Sequence, residues 1–347
     1  MMKKRIRDYN IIIGDMKTGL RNSIADVPGV TVGHVTLDFE NIKTGVTAIR
    51  PCPDNIYQSK MPCGIEVFNG FGKTTGLIQI QELGTLESPI ILTNTLSVGD
   101  AYRGLVEYLL EENEDIGLST GTVNPLICEC NDGYLNDIRG LHVKPHHVKE
   151  AIDDCRASFE EGAVGAGTGM SAYKLKGGIG SASRVVTIEE ETYTLGGLVL
   201  SNMGKKEDFV LQGKPVGKTI TALDSTENSL ADKGSIIMVL ATDAPLSSRQ
   251  LKRLSKRCIS GLSRTGSNMS NGSGEIAISF STKNRIPNYP VGLNTCFLLH
   301  DDHLDLLFKA GAEVIEEAVL NSMITAETLE GRDGHIRYSL KSYMDQL

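Results

Sequence analysis

The segment Ser235-Ile-Ile-Met-Val-Leu-Ala241 is apolar along its whole length after the first residue. Such a run reads as a β-strand covered on both faces, not as one face of a helix or the solvated edge of a sheet. The chain has the material to cover it: 347 residues, 40% hydrophobic and 22% charged, enough for a large core. Layered α/β folds of this size commonly form one domain, and no linker or short-period repeat divides the chain. Directly before the strand, Leu223–Lys233 is polar and reads as an exposed connection ending in Gly234.

Further strands are predicted at Gly45–Ile49, Gly64–Phe68, Pro89–Leu92, Arg184–Ile188, Leu198–Leu200 and Glu275–Phe280. Helical periodicity marks Ala101–Glu112, His146–Glu161 (starting after Pro145), Leu246–Leu262 and His303–Met323. The Gly-rich stretches Gly162–Gly169 and Gly177–Gly180 read as loops or tight turns.

Charge and cysteine usage narrow the function classes. The net charge is −8, with both signs interspersed, so no basic stripe is present for nucleic acid. No apolar run approaches the length of a membrane span. Met1-Met-Lys-Lys-Arg5 has the charge of a signal-peptide start, but Ile11-Ile12-Ile13 is too short for its apolar core. Seven cysteines, most in or beside apolar runs, read as small buried hydrophobes of a reducing compartment. Cys128 and Cys130 form C-x-C with no second pair at zinc spacing. A cytoplasmic location is expected.

Several patterns resemble catalytic motifs and fail on context. Gly117-Leu-Ser119-Thr-Gly121 matches a nucleophile elbow, yet a helix end precedes it where a strand is required. Gly72-Lys73-Thr74 looks like the end of a P-loop, but Val67 stands where the first glycine is needed. The run Gly162–Gly169 follows a helix, the wrong setting for a dinucleotide loop. It reads as a structural or substrate-lining loop. The adjacent His146 and His147 suit surface or capping roles.

Ser235 differs from these. Gly-Ser occurs at 180–181, 234–235, 266–267 and 272–273, so the dipeptide alone is uninformative, but only the second joins a polar loop to a buried strand. Gly234 puts no Cβ beside its own carbonyl. A serine hydroxyl there can attack that carbonyl, shift the acyl group from N to O, and leave a new chain beginning with Ser235. The freed α-amine, with a pKa of about 7.7–8.0, can serve as base beside its own nucleophile. Ser273 and Glu275, two apart in extended chain, share a face and can orient a proton-transfer chain; taken alone, an ordinary Ser/Gly/Asn turn entering a strand is the favoured explanation. Asn202 closes the strand around Leu198–Leu200 and can donate to an oxyanion or end a turn.

Ordered matches along the chain carry a resemblance. They are Asn94-Thr-Leu-Ser-Val-Gly99, Glu129-Cys-Asn-Asp-Gly-Tyr134, Gly165-Ala-Gly-Thr-Gly-Met170, Leu200-Ser-Asn202, Gly234 through Pro245, and Asn271-Gly-Ser-Gly-Glu275. Together they resemble the P1 (DmpA-like) peptidase family of L-aminopeptidase/D-amidase/esterases and β-peptidyl aminopeptidases. The resemblance implies an α/β fold of four layers, an αββα sandwich shared with ornithine acetyltransferases, forming a single domain over 1–347. It implies self-cleavage into fragments 1–234 and 235–347, a tetramer of the cleaved heterodimers, and no metal or organic cofactor. It implies an aminopeptidase or amidase acting on small peptides, amides or esters with a free amino terminus. By the same resemblance Ser235 is the nucleophile, Ser273 and Glu275 support it, Asn202 forms the oxyanion hole, Glu129 binds the substrate ammonium and Tyr134 lines the pocket. Two alternatives stay open: an acyltransferase of the ornithine acetyltransferase type, disfavoured by serine at 235, and a non-catalytic binding protein on the same fold.

Overall fold

The computed structural model describes residues 3–223 and 234–347. In chain order the long strands are β1 (Thr31–Phe39), β2 (Ile42–Arg50), β3 (Ser59–Gly70), β4 (Ile90–Asn94), β5 (Leu126–Cys130), β6 (Gly178–Ile188), β7 (Glu191–Asn202), β8 (Ser235–Thr242) and β9 (Gly274–Ser281). The helices are α1 (Leu77–Leu83), α2 (Val98–Glu112), α3 (Pro145–Asp153), α4 (Val216–Leu223), α5 (Ser248–Ser255), α6 (Cys258–Arg264) and α7 (Leu304–Ile324).

The strands form two sheets. The smaller runs β1-β2-β4-β5; the larger has long strands in the order β3-β9-β8-β7-β6, with two-residue strands Ile286–Pro287 and Thr85–Leu86 against β3. β8 and β9 pair in parallel, as do β4 and β5, and the remaining pairs of long strands are antiparallel.

Three cores separate four layers. Val46, Ala48, Ile91 and Ile127 of the smaller sheet pack on α2 and α3. Its other face meets the larger sheet through Val32, Leu92 and Cys128 against Leu198, Ile237, Val239 and Ile278. The outer face of the larger sheet, with Val199, Ile236, Met238 and Leu240, is covered by α5, α6 and α7. The result is an αββα sandwich. The uninterrupted apolar run of β8 follows directly: Ile236, Met238 and Leu240 meet helices, while Ile237, Val239 and Ala241 meet the other sheet.

Three local expectations are corrected, and a fourth falls almost wholly outside the described residues. Gly177–Gly180 is not a turn, because β6 begins at Gly178. A Cβ on Gly180 would lie 2.0 Å from the Ala318 carbonyl oxygen, so glycine there lets α7 press onto the strand backbone. The second helix takes Pro145 as its first residue and stops at Asp153, not Glu161. Beyond it, Arg156 exchanges backbone hydrogen bonds with Val32 at 3.0 and 3.1 Å, so pairing with β1 overrides helical propensity. The expected Leu246–Leu262 helix is two, α5 and α6, broken where the Arg257 N–H donates three residues back to Leu254. Of the expected connection Leu223–Lys233, Leu223 ends α4 and residues 224–233 lie outside the described residues. Among the described residues, no helix is long and apolar enough to cross a membrane.

A buried ion cluster fastens the N-terminal segment to the sandwich. Arg184 of β6, fully buried, pairs with Glu313 and Glu317 of α7 at 2.7 Å each. Arg7 reaches Glu317 at 2.6 Å. Burial alone would raise the Glu317 carboxyl, yet the Arg7 hydrogen bond and the Arg184 charge hold it below its ordinary range. Its stabilising contribution is therefore present above the unfolded-state pKa and lost as pH falls through the folded one. Arg184→Met leaves buried Glu313 without its cation and Glu317 with Arg7 alone, and is expected to lower the unfolding free energy by about 3–5 kcal/mol at neutral pH. The gap should narrow on acidification as Glu317, which Arg184 helps to hold below its ordinary range, protonates. Chemical denaturation of both proteins across pH 4–8 checks this; a gap that is constant with pH would mean that Arg184 does not set the protonation of Glu317.

Candidate active site

Strand pairing assembles the site at the start of β8. Ser235 lies opposite Asn202 on antiparallel β7 and level with Gly274 on parallel β9. Gly274 is flanked by Ser273 and Glu275, so three neighbouring strands bring together residues separated by more than 70 positions in sequence. Ser235 has the same parity as Ile237 and Val239, which face the gap between the sheets, so its side chain points into that gap. Its exposure is 5%.

Gly234 is fixed as sharply. A Cβ on it would stand 2.7 Å from Met203 Cα and 2.9 Å from the Asn202 carbonyl oxygen. The Gly274 N–H donates to the Gly234 carbonyl at 3.3 Å. The carbonyl that Ser235 would attack thus accepts a backbone donor that polarises it.

At the entrance to β9, the Ser273 hydroxyl donates to Glu275 Oε1. Glu275 is fully buried and its Oε2 has no hydrogen-bond partner among the described residues. Burial pushes its carboxyl above the ordinary range, with the Ser273 hydroxyl pulling the other way. A register shift against β3 falls between Glu275 and Ile276, the kind of bulge that re-aims a side chain at a strand end.

Asn202 is locked in one orientation. Its Oδ1 accepts the Ser171 N–H at 2.9 Å and its Nδ2 donates to the Asn131 carbonyl at 3.0 Å, leaving one Nδ2 hydrogen for a ligand. The turn carrying Ser171 is held by Lys176, a buried ammonium donating to the carbonyls of Gly167, Met170 and Gly177 at 3.1, 2.8 and 2.7 Å. Burial draws its pKa down to about 7 and lifts that of Asp132 to about 7. Within the Gly162–Gly169 run, Lys176 thus clamps the Gly167 carbonyl from beneath.

The facing sheet supplies the rest. Glu129, 3% exposed at the end of β5, accepts the Lys73 N–H on Oε1 at 2.9 Å and the Thr95 hydroxyl on Oε2. No Lys or Arg pairs with it among the described residues. A buried carboxylate with two hydrogen bonds and no counter-ion is a ready cation site. Next to it, the Cys130 thiol lies within hydrogen-bonding reach of Ser235. Burial, then the Glu129 charge, pushes that thiol well above its ordinary range, so it is a neutral wall and not a nucleophile.

Tyr134 has partners of its own. Its ring stacks on His335 with centroids 4.5 Å apart, and the Arg337 guanidinium sits 3.5 Å over the ring centre. The neighbour that touches the site is Asn131, through its carbonyl. Cys130, Thr95 and Lys73 were not anticipated as site residues. Thr95 lay within a segment that carried the family resemblance, and Lys73 within the rejected P-loop fragment. The rejected elbow serine, Ser119, sits in a turn after α2.

The family model for peptidase family S58 matches residues 22–337. The β-peptidyl aminopeptidase BapA of Sphingosinicella microcystinivorans is 37% identical over 95% of this chain and 88% of the relative. A crystal structure from Pyrococcus horikoshii OT3 superposes with a TM-score of 0.93 at 53% identity, covering 99% of this chain and 98% of that one. The L-aminopeptidase D-Ala-esterase/amidase structure from Ochrobactrum anthropi, described as a variant of the Ntn hydrolase fold, superposes with a TM-score of 0.93 at 34% identity, covering 99% and 97%.

Proposed function

The chain belongs to peptidase family S58 and is a hydrolase of the aminopeptidase/amidase type; from that premise we propose that Ser235 is its nucleophile and is freed by self-cleavage at Gly234–Ser235. The observation that carries this reading is the Gly234 carbonyl, held under the Gly274 N–H beside the Ser235 hydroxyl. Ser235 Oγ attacks the Gly234 carbonyl carbon and loses its proton. The Gly234–Ser235 amide bond breaks as its nitrogen takes a proton, leaving Gly234 esterified on Oγ. Water then hydrolyses the ester. The products are fragments 1–234 and 235–347, working as one domain.

In turnover the same hydroxyl attacks the carbonyl of a small peptide, amide or ester. The free Nδ2 hydrogen of Asn202 and nearby backbone N–H groups stabilise the oxyanion. The Ser235 amine and the Ser273–Glu275 pair stand ready for the proton transfers. The substrate's ammonium docks on Glu129, which has two fixed donors and, among the described residues, no counter-ion. The exposed side chains of Tyr289, Val291, Leu293, Phe297 and Leu298 support a homo-oligomer of cleaved heterodimers, a tetramer by family resemblance. Seven unpaired cysteines support a cytoplasmic setting.

Glu129→Gln keeps the shape and removes the charge. It is expected to cut kcat/KM for free-amine amides by about 10–100-fold, the worth of a charged hydrogen bond, while leaving the slow turnover of N-acetylated amides unchanged. Equal losses on both substrates, measured on fully cleaved protein, would return Glu129 to a structural role.

A further inference from the structure

The Ser235 centre lies where β8 and β9 begin. Where they end, about 25 Å away at ~3.3 Å per residue, the protein holds a second cavity of about 380 Å³. Cys52 and Met61, both buried, line its floor, and Tyr193, Asp243, Lys283 and Arg285 line its sides. The Thr282 N–H donates to the Thr242 carbonyl at 2.9 Å, so Asp243 and Lys283 leave adjacent strand ends around the same space.

The charges in it are not matched to each other. Asp243 accepts the Thr194 N–H on Oδ1 at 2.7 Å, and no cation pairs with it among the described residues. Burial raises its carboxyl above the ordinary range, with the Lys283 charge acting weakly against that. The Lys283 ammonium makes no hydrogen bond or ion pair among the described residues. Arg285 is already engaged, by the Ser59 carbonyl and Asp54 at 3.2 Å each. The half-buried Asp243 carboxylate, the exposed Glu191 carboxylate and the free Lys283 ammonium therefore face, among the described residues, a common volume large enough for a small organic molecule.

We propose that this cavity is a second ligand site, taking a small zwitterion of free-amino-acid size, with its ammonium on Asp243 and its carboxylate on Lys283. A zwitterion satisfies both charges at once, whereas an anion leaves the half-buried Asp243 carboxylate unpaired and a cation forgoes the Lys283 ammonium. Free amino acids, which an aminopeptidase releases, have this charge pattern. The site itself stands independently of the role given to Ser235.

A matched set of probes tests it on the mature enzyme: β-alanine, propionate, which lacks the ammonium, and propylamine, which lacks the carboxylate. Binding is read by saturation-transfer NMR and calorimetry. β-Alanine should bind, and each single-charge analogue should bind roughly tenfold or more weakly, as expected when a charge loses its partner. Asp243→Asn, which keeps an acceptor for the Thr194 N–H, and Lys283→Met, on an exposed side chain, should each weaken β-alanine by a similar factor. Glu129→Gln should leave this binding unchanged. Propionate matching β-alanine would reduce the cavity to an anion site, and loss in Glu129→Gln alone would move the binding to the Ser235 centre. Either result, or no binding of β-alanine at all, overturns the proposal.

Discussion

Ser235→Ala is expected to leave the chain whole, at its full 37.5 kDa, and without measurable amide hydrolysis. The wild type should instead run as fragments 1–234 and 235–347, about 25 and 12 kDa by share of chain length, the smaller one reading Ser-Ile-Ile-Met from its N-terminus. Removing the hydroxyl removes the attacking atom of both reactions, so the expected activity loss is on the order of 10⁶-fold, as for other enzymes stripped of a nucleophile. The two reactions separate at Gly234. A side chain there meets Met203 Cα and the Asn202 carbonyl, which displaces the carbonyl from Gly274. Gly234→Ala should therefore mature slowly, yet the small fragment it eventually releases is identical to that of the wild type, and activity per cleaved molecule should approach wild type. Intact mass and activity followed over the same time course give both readings. Cleavage in Ser235→Ala would remove Ser235 as the attacking group. A Gly234→Ala protein that is fully cleaved yet inactive would show Gly234 acting in turnover as well.

Much of this architecture was legible wherever burial is written locally. The apolar run of β8 announced a strand between two layers because every residue from Ile236 to Ala241 is apolar. Ser273 and Glu275 were legible as a pair through their spacing, and their contact follows from extended chain. What failed was set by distant partners. Gly177–Gly180 has the composition of a turn, and only the approach of α7, well over 100 residues later, makes glycine a packing residue in a strand. α3 stops short because β1 captures the following residues. Cys130 looked like any small buried hydrophobe. It touches Ser235 because strands from two sheets stack, and no feature of the local sequence encodes that. Lys73 contributes a backbone N–H, which carries no side-chain signature at all.

Ser273 and Glu275 are expected to act with Ser235 as one unit, and in matured protein their substitutions should not multiply. Ser273 donates to Glu275, and Gly274 between them pairs with Ser235, so loss of either member leaves the other without its function. Ser273→Ala, Glu275→Gln and the double variant should each lose a similar factor, on the order of 10²–10⁴ in kcat/KM for a general acid–base contribution. The pH profile gives a second reading that a packing defect would not produce. Glu275 is raised by burial and restrained by the Ser273 hydroxyl. The acid limb of the wild-type profile should therefore lie above the ordinary carboxylate range, and in Ser273→Ala, with the restraint gone, it should move to still higher pH. In Glu275→Gln that limb should disappear. The proteins must be compared after complete cleavage, since a block in maturation would mimic a catalytic loss. Losses that multiply in the double variant, with an acid limb indifferent to Ser273, would mean that the two residues serve Ser235 separately and that no proton passes along the pair.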